Sequence, residues 1–440
     1  MELIEHATER ADSAEVFEIE SNSIPVQFES GELESLKYVE TNGAALRVID
    51  DGKLGFSTTT NWEDPSQAVE RAVETAKFGE KAGFEFPGPT EVKKYDTMNR
   101  EISDLTAADL IDYGKRITER LEEFDSDLEV NLDLNKSHDK IRVINSNNLA
   151  VEEEKTKLSL TVEIKDVSDD DIFSFYENAV AQHLEQFEPM DLVDRVIQKV
   201  KWARTESSIE RGAFPVIFTP RGSLVLLVSL LAGFNGENVF QGTSPLGDKS
   251  GEQVFSNNLK FTDDGTLEGS PTRRSFDDEG LPVEQTTLIN DGTAENFLYD
   301  LQTAGLASVA PTGNGLKGGL ISGADFRAAP STSPTTLIIS PGENTVGELI
   351  SDIDKGLMVD QVLGLGQGNP LSGEFSNNIS VAYKIEGGEI TGKVKNTMIA
   401  GNVYDLLNGK IKLGKEAEWV GGSLKSPAIV VNDVNVVQKG

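Results

Sequence analysis

Hydrophobic and polar positions alternate along residues 15–59 with the two-residue period of half-buried strands. Asn42-Gly43 and Asp51-Gly52 interrupt this pattern, and both dipeptides tolerate the positive φ of tight hairpin turns. The pattern therefore predicts an antiparallel meander. Its predicted strands lie at 15–20, 25–28, 33–41, 44–49 and 54–59.

Apolar residues then recur every three or four positions in three segments, which predicts three amphipathic helices. The first opens at Asp64-Pro65, where a capping residue precedes proline at the first helical position. The second begins near Thr106, and the third spans 190–202. Further strands are predicted between the last two helices, at 128–134, 140–145 and 157–165.

The pattern changes near residue 207, beyond which turns rich in Gly and Asn separate short apolar runs. Only 223–234 and 346–353 have a helical pattern in this half. We therefore predict an α+β protein with an N-terminal α+β region of antiparallel sheets and helices, followed by a large, mostly β C-terminal domain. The predicted divisions are an N-terminal α+β subdomain at 1–95, a second α+β subdomain at 96–207 and the β-rich domain at 208–440.

Composition restricts the possible chemistry. The 440 residues include no Cys and only three His, at His6, His138 and His183, far apart in the chain. A self-contained zinc, copper or haem site is hard to build from this set, and a cysteine nucleophile is excluded. We therefore assign no catalytic residue, no metal ligand and no cofactor to this chain.

The charge balance restricts the possible partners. Asp and Glu number 74 against 40 Lys and Arg, a formal net charge of -34, so the chain is acidic and direct binding of nucleic acid is disfavoured. The N-terminus has no signal-peptide pattern, and the longest apolar stretch, 224–232, is too short to span a membrane. These features predict a cytoplasmic protein with no membrane association.

Four groups of segments resemble the TldD/PmbA family, also called modulators of DNA gyrase, and occur in that family's order. They lie at 26–34 with 41–48, at 240–247 with 251–254, at 276–282 with 298–304, and at 356–359 with 369–376, 385–390 and 399–402. The resemblance spans nearly the whole chain. It implies an N-terminal α+β region and a β-rich C-terminal domain.

The resemblance also implies a functional division. TldD-like subunits carry an HExxxH helix that binds zinc, with a Cys as a further ligand, whereas PmbA-like (TldE) subunits lack the motif and pair with a TldD-like subunit. The corresponding helix here is 223–234, SLVLLVSLLAGF, which contains no His and no acidic residue. This departure identifies the chain with the PmbA/TldE-like branch, and zinc is expected in a TldD-like partner.

Two segments are candidates for contact with a peptide or for lining a cavity. Arg273, Arg274, Asp277, Asp278 and Glu279 form the densest polar cluster of the second half. Its carboxylates could hold a peptide amine or a metal while the arginines orient a terminal carboxylate. Alternatively, the segment is a turn whose charges pair locally, and this interpretation is favoured.

The second candidate segment contains Asn369, Ser372, Gly373 and Phe375. It resembles a family segment close to the substrate path, and a backbone-lined strand edge there could bind an extended peptide by strand addition.

Three functional hypotheses follow. The favoured one is a non-catalytic subunit of a zinc metallopeptidase complex that acts on unfolded peptides, in proteolysis or peptide maturation. It would pair with an HExxxH-bearing subunit and help form the chamber. The alternative is a stand-alone homodimeric binding or regulatory protein without protease activity. A third is an enzyme whose metal is held only by carboxylates such as Asp277 to Glu279, an unusual arrangement for zinc.

Overall fold

The computed structural model describes residues 3–168, 171–319, 323–366 and 368–438. Within them, the first half is built on a seven-stranded antiparallel sheet with the order β4-β3-β1-β5-β6-β7, and β2 pairs with β1. The strands are β1 (Ser13–Glu29), β2 (Glu32–Leu36), β3 (Val39–Asp50), β4 (Lys53–Thr59), β5 (Glu129–Asn145), β6 (Ala150–Ser168) and β7 (Asp171–Ala181).

The meander is confirmed, but its strands are longer than predicted. Segments 15–20 and 25–28 belong to the single strand β1, and Asn42-Gly43 does not turn. Asn42 and Gly43 lie inside β3, opposite Glu20 and Ile19 of β1. Gly43 is needed there for another reason, because a Cβ at this position would approach the Phe326 ring to 2.7 Å. Long-range pairing thus overrides the local turn preference.

Ten helices accompany the strands in the described residues, and two short 3₁₀ turns lie at Leu184–Gln186 and Pro370–Ser372. The helices are α1 (Leu3–Thr8), α2 (Ser66–Ala76), α3 (Arg100–Asp104), α4 (Ala107–Phe124), α5 (Pro189–Ala203), α6 (Leu224–Phe234), α7 (Gly236–Phe240), α8 (Leu301–Ala307), α9 (Val346–Ser351) and α10 (Val403–Asn408).

The three predicted N-terminal helices correspond to α2, α4 and α5. Thr106 caps α4 in a capping box with Asp109, which explains why that helix begins where its pattern indicates. The prediction of only two helices beyond residue 207 is wrong, because α7, α8 and α10 are also present. Each has only five to seven residues, too few for a recognisable period, and each begins at an Asn or Asp cap: Asn235, Asp300 and Asn402.

The second half is mostly β. Its strands are β8 (Glu206–Ser207), β9 (Gly212–Phe218), β10 (Phe261–Asp264), β11 (Gln285–Asn290), β12 (Thr293–Ala294), β13 (Gly315–Gly319), β14 (Gly323–Ala324), β15 (Pro330–Thr332), β16 (Leu337–Ile339), β17 (Lys355–Val362), β18 (Glu374–Glu386), β19 (Glu389–Val394), β20 (Thr397–Asn402), β21 (Lys412–Val420) and β22 (Leu424–Gln438). The α+β prediction is confirmed.

Five of these strands close into a ring. β9 pairs with β17, β17 with β18, β18 with β20, β20 with β22, and β22 again with β9. Closure of this kind removes exposed strand edges. The remaining strands extend the same sheet or form a small three-stranded sheet of β13, β14 and β15.

Alternate residues of the ring strands contact different parts of the molecule. Val216, Leu357 and Ile429 pack in one core with α6, whereas their neighbours Ile217 and Met358 pack in another core with α5 and β6. This two-residue alternation follows from strand geometry. The ring therefore connects the C-terminal core to the N-terminal region.

The predicted divisions at residues 95 and 207 stay predictions. Strands on both sides of residue 95 belong to one sheet, in which β1 pairs with β5 over Glu15 to Phe28. Across the described ranges, no helix has the length and the hydropathy needed to cross a membrane.

Candidate functional site

The acidic segment predicted as a candidate site forms a buried turn. Asp277, Asp278 and Glu279 are 0, 6 and 0% exposed. The Asp277 carboxylate accepts hydrogen bonds from the backbone N–H groups of Glu279 and Leu281, at 3.0 and 2.9 Å, and from that of Gly315 at 2.9 Å. Asp277 thus folds the turn around itself and fixes β13 against it.

Asp278 and Arg274 form an ion pair inside the protein. The other Asp278 oxygen accepts from the backbone N–H of Lys317 at 2.7 Å, and Arg274 Nε donates to the Phe276 carbonyl at 2.6 Å. Arg273 is half-buried and stacks its guanidinium 4.6 Å from the centre of the Tyr95 ring. These contacts are all internal.

Glu279 reaches across to the N-terminal sheet. Its Oε1 accepts from Arg47 Nη1 at 2.6 Å, and its Oε2 accepts from the backbone N–H of Leu301, at the start of α8, at 2.8 Å. Arg47 Nη2 also donates to Glu15 Oε1 at 2.8 Å. We call Glu15, Arg47 and Glu279 the Arg47 triad; it holds two carboxylates on one buried guanidinium at the contact between the two halves.

The electrostatics of the Arg47 triad reflect its burial. Burial raises the pKa of Glu15 to about 7, although Arg47 opposes this change. Burial likewise raises the pKa of Glu279, and burial together with the nearby Glu279 raises the pKa of Asp277. Nearby Lys317 is also buried, which lowers its pKa to about 8. The carboxylates and the cations Arg47 and Lys317 are buried together, and this arrangement is suited to joining the two halves of the fold.

The second candidate segment lies at the end of the ring. Asn369 Oδ1 accepts from the backbone N–H of Leu371 at 3.1 Å, and Ser372 Oγ donates to the Asn369 carbonyl at 2.9 Å. Gly373 has a φ of +77°, and a Cβ there would lie 2.4 Å from the Tyr404 ring. Phe375 is 7% exposed and belongs to the C-terminal core. Three of the four residues thus shape the turn, and Phe375 anchors it.

The predicted free strand edge is already paired on one side. Residues 374–378 of β18 pair with 398–402 of β20. An open groove of about 570 Å³ lies beside this pair and is lined by Asn369, Phe375, Asn402 and Asn435 among others. The two candidate segments differ in setting, since the first is enclosed and the second borders this groove. A peptide-binding role for the residues of either segment stays a prediction.

A second buried triad was missed by sequence reasoning. Lys199 Nζ donates to both oxygens of Asp360 at 2.8 Å and also pairs with Glu177. Thr219 Oγ1 donates to Asp360 Oδ1 at 2.7 Å. The one indication of this triad in the sequence was Asp360, an acidic residue directly after the apolar run Leu357–Val359. We call Glu177, Lys199 and Asp360 the Lys199 triad.

The zinc ion implied by the family resemblance does not fit the residues of α6. The sequence of α6 is LVLLVSLLAGF, in which Ser229 is the one polar side chain and is 3% exposed. One serine hydroxyl among apolar side chains does not supply the His, Cys and carboxylate ligands that bind zinc. In the described ranges, no group of three His, Cys, Asp or Glu residues is arranged to hold a metal ion.

Comparison with known proteins identifies the family to which this architecture belongs. A family model described as the PmbA/TldA metallopeptidase C-terminal domain matches residues 211–438, more than half of the chain, and one described as domain 1 of that metallopeptidase matches residues 14–77. The chain belongs to the TldD/PmbA family. This confirms the resemblance and gives the chain a metallopeptidase-family role.

Individual relatives cover nearly the whole chain. An uncharacterized protein of Methanocaldococcus jannaschii is 28% identical over 97% of each chain. A metalloprotease PmbA homolog of Haemophilus influenzae is 21% identical over 94% of this chain and 90% of its own. The crystal structure of TldE from Thermococcus kodakarensis superposes with a TM-score of 0.90, at 25% identity and over 99% of both chains.

Proposed function

We propose that this protein is a non-catalytic, TldE-like subunit of a zinc metallopeptidase complex that acts on unfolded peptides. It pairs with an HExxxH-bearing, TldD-like subunit, which supplies the zinc. Its own contribution is a wall of the chamber that admits extended chains and excludes folded proteins.

The composition of α6 is the observation that carries this proposal. In a metallopeptidase-family chain, the helix corresponding to HExxxH consists of leucine, valine and other apolar or small residues, and most of it is buried in the C-terminal core. Two His on one helical face are needed to hold the metal, and a Glu between them acts as general base. A helix without these side chains suits packing rather than hydrolysis.

The alternative metal site, made from carboxylates alone, has less support. Asp277, Asp278 and Glu279 each accept from backbone N–H groups or pair with Arg274 or Arg47. A metal ion would have to displace these donors from a fully enclosed turn. The similarity to TldE over 99% of both chains supports the subunit role instead.

Association with a sibling subunit tests the pairing. The purified chain would be mixed with an HExxxH-bearing TldD-like protein from the same source, and the mass of the product measured by light scattering after gel filtration. We expect one species with the mass of a mixed dimer or of a multiple of it. Separate elution of the two proteins, with this chain as a homodimer, would contradict the proposal and favour a stand-alone binding or regulatory protein.

A further inference from the structure

A second cavity lies away from the groove, between the N-terminal region and the ring. Its volume is about 170 Å³, and α5, β9, β17 and β21 contribute its walls. An engineered cavity of about 150 Å³ with apolar walls binds benzene in another protein, so this space suits a group of that size. Its apolar walls include Trp202, Ile217, Val346, Met358, Trp419 and Ala428.

The Lys199 triad forms part of the inner wall, and its groups are already engaged. Lys199 bonds to Asp360 and Glu177, and Thr219 bonds to Asp360. Tyr383 donates its hydroxyl to the Lys199 carbonyl at 3.1 Å. Arg221 also lines the cavity, where it bonds to Asn178, lies 3.9 Å from Glu177 and stacks on the Tyr176 ring. A ligand therefore gains little from these paired charges, and the inner part of the cavity selects for an apolar group.

Arg195 and Glu418 also line the cavity, and their charges are loosely held. Arg195 Nε lies 3.6 Å from Glu418 Oε2, and the two side chains are 37% and 46% exposed. In the part of the chain that the structure describes, Arg195 Nε has no hydrogen-bond acceptor. A cation and an anion thus stand side by side at the partly exposed edge of the apolar space.

We propose that this cavity binds a free α-amino acid with an apolar side chain. The side chain occupies the apolar space lined by Trp202 and Trp419, the α-carboxylate bonds to Arg195, and the α-ammonium bonds to Glu418. An amino acid carries both charges on one carbon, whereas a residue within a peptide has lost both and a terminal residue has lost one. The site is separate from the groove beside Asn369, and the inference does not rest on the proposed function.

The chain offers a direct optical readout. It contains three tryptophans, and Trp202 and Trp419 line the cavity while Trp62 lies on the surface of the N-terminal region, 39% exposed. In a Trp62→Phe variant of the full chain, selectively excited tryptophan emission reports on the cavity. We expect L-phenylalanine to change this emission saturably, and N-acetylphenylalaninamide, which lacks both charges, to bind about tenfold more weakly or not at all.

Two charge variants assign the orientation of the ligand. In the Trp62→Phe background, Arg195→Gln should weaken phenylpropionate binding about tenfold and leave phenethylamine unchanged, while Glu418→Gln should do the opposite. L-phenylalanine should be weakened by both. The matched control is Arg120→Gln, which removes an arginine of α4 that is 47% exposed and should change no affinity.

A filling variant tests the location. Val346 is half-buried at the start of α9, so Val346→Phe should occupy the space with little effect on folding and abolish the L-phenylalanine response. An absence of any saturable change in the Trp62→Phe protein would overturn the proposal. Equal binding of charged and uncharged probes, or affinities unaffected by both charge variants, would overturn it as well.

Discussion

Two buried charge triads, the Arg47 triad and the Lys199 triad, lie at the contact between the two halves of the molecule and differ in how fully their charges are compensated. In each triad one buried cation holds a carboxylate of the N-terminal region and a carboxylate of the C-terminal domain: Glu15 and Glu279 on Arg47, and Glu177 and Asp360 on Lys199. In the Arg47 triad, Glu15 Oε2 and Arg47 Nε lack hydrogen-bond partners among the described residues. In the Lys199 triad, Asp360 uses both oxygens.

The pKa values follow this difference. Burial raises the pKa of Glu15 to about 7, because its charge is only partly compensated. Burial also acts to raise the pKa of Asp360, but Lys199 and the hydrogen bonds from Lys199 and Thr219 outweigh it, and the pKa ends below its ordinary value. Burial thus raises the pKa at both sites, and only at Asp360 do the charge of Lys199 and the hydrogen bonds from Lys199 and Thr219 outweigh it.

Removing the cation of the Lys199 triad should have the largest effect. Lys199→Met leaves Glu177 and Asp360 buried with only Arg221, 3.9 Å from Glu177, as a remaining cation, and we expect the free energy of unfolding to fall by about 3–5 kcal/mol. Urea unfolding at pH 7.5 measures this loss. The control is Lys412→Met, which breaks an exposed pair with Asp352 and should cost about 0–1 kcal/mol. Equal losses for the two variants would show that the triad contributes nothing beyond a surface pair.

Removing Arg47 should cost less, because its carboxylates can take up protons. We expect Arg47→Met to lower the free energy of unfolding by about 2–3 kcal/mol at pH 7.5. The loss should shrink at pH 5.5, where Glu15, whose pKa is raised to about 7, becomes neutral. Arg100→Met, which breaks an exposed pair with Asp104, is the control. A loss that grows on acidification would contradict the account of this triad.

The pH dependence of stability should separate the triads most clearly. The pKa of Glu15 is raised from 4.5 to about 7, so the folded state binds more protons between these values and stability falls as pH rises through that window. Glu15→Gln should remove a slope of at most about 1.4 kcal/mol per pH unit there. Unfolding measured at half-unit intervals from pH 4.5 to 7.5 gives the difference from the parent protein.

Asp360→Asn should behave in the opposite sense. The lowered pKa of Asp360 stabilises the fold above its ordinary value of 3.8, and that stability is lost as pH falls. The deficit of the variant should therefore be constant near neutrality and shrink below about pH 4. A deficit that instead varied between pH 5 and 7 would place Asp360 in the same class as Glu15.

The smallest effect is expected for the pair that borders the cavity. Arg195→Gln changes a half-exposed side chain whose nearest carboxylate oxygen, on Glu418, is 3.6 Å away. We expect its free energy of unfolding to lie within about 0.5 kcal/mol of the parent value. A loss above 2 kcal/mol would mean that Arg195 belongs structurally to the Lys199 triad.

Much of the fold could be predicted from local pattern. The capping box at Thr106 and the apolar stripes of α2 and α5 carry their own signals, as does the β-rich character beyond residue 207. Asn42-Gly43 was wrongly predicted to be a turn, because the pairing of β3 with β1 continues through it. The helices α7, α8 and α10 were missed because each is too short to show a helical period. The ring could not be predicted, since its closure depends on contacts between strands as distant as β9 and β22.

The candidate site was only partly predictable for a related reason. The density of charge at Arg274 to Glu279 is visible in the sequence. Its partners lie more than 100 positions earlier and have no local mark: Arg47 donates to Glu279, and Glu153 accepts from the backbone N–H of Ser275. Lys199 stands beside the inward stripe of α5 and looks like a solvated residue until Asp360 is placed next to it. The role of a charged residue at a domain contact can be inferred only when its partner on the other domain is known.

Hydrolysis of unfolded casein and of short peptides tests the central claim most directly. The chain would be assayed alone, then with its HExxxH-bearing sibling, each with and without a chelator, and the sibling would be assayed alone as the reference. The account predicts no hydrolysis by this chain alone, and chelator-sensitive activity in the mixture above that of the sibling. Chelator-sensitive hydrolysis by this chain alone would contradict it, because α6 would then not be the helix that decides catalysis.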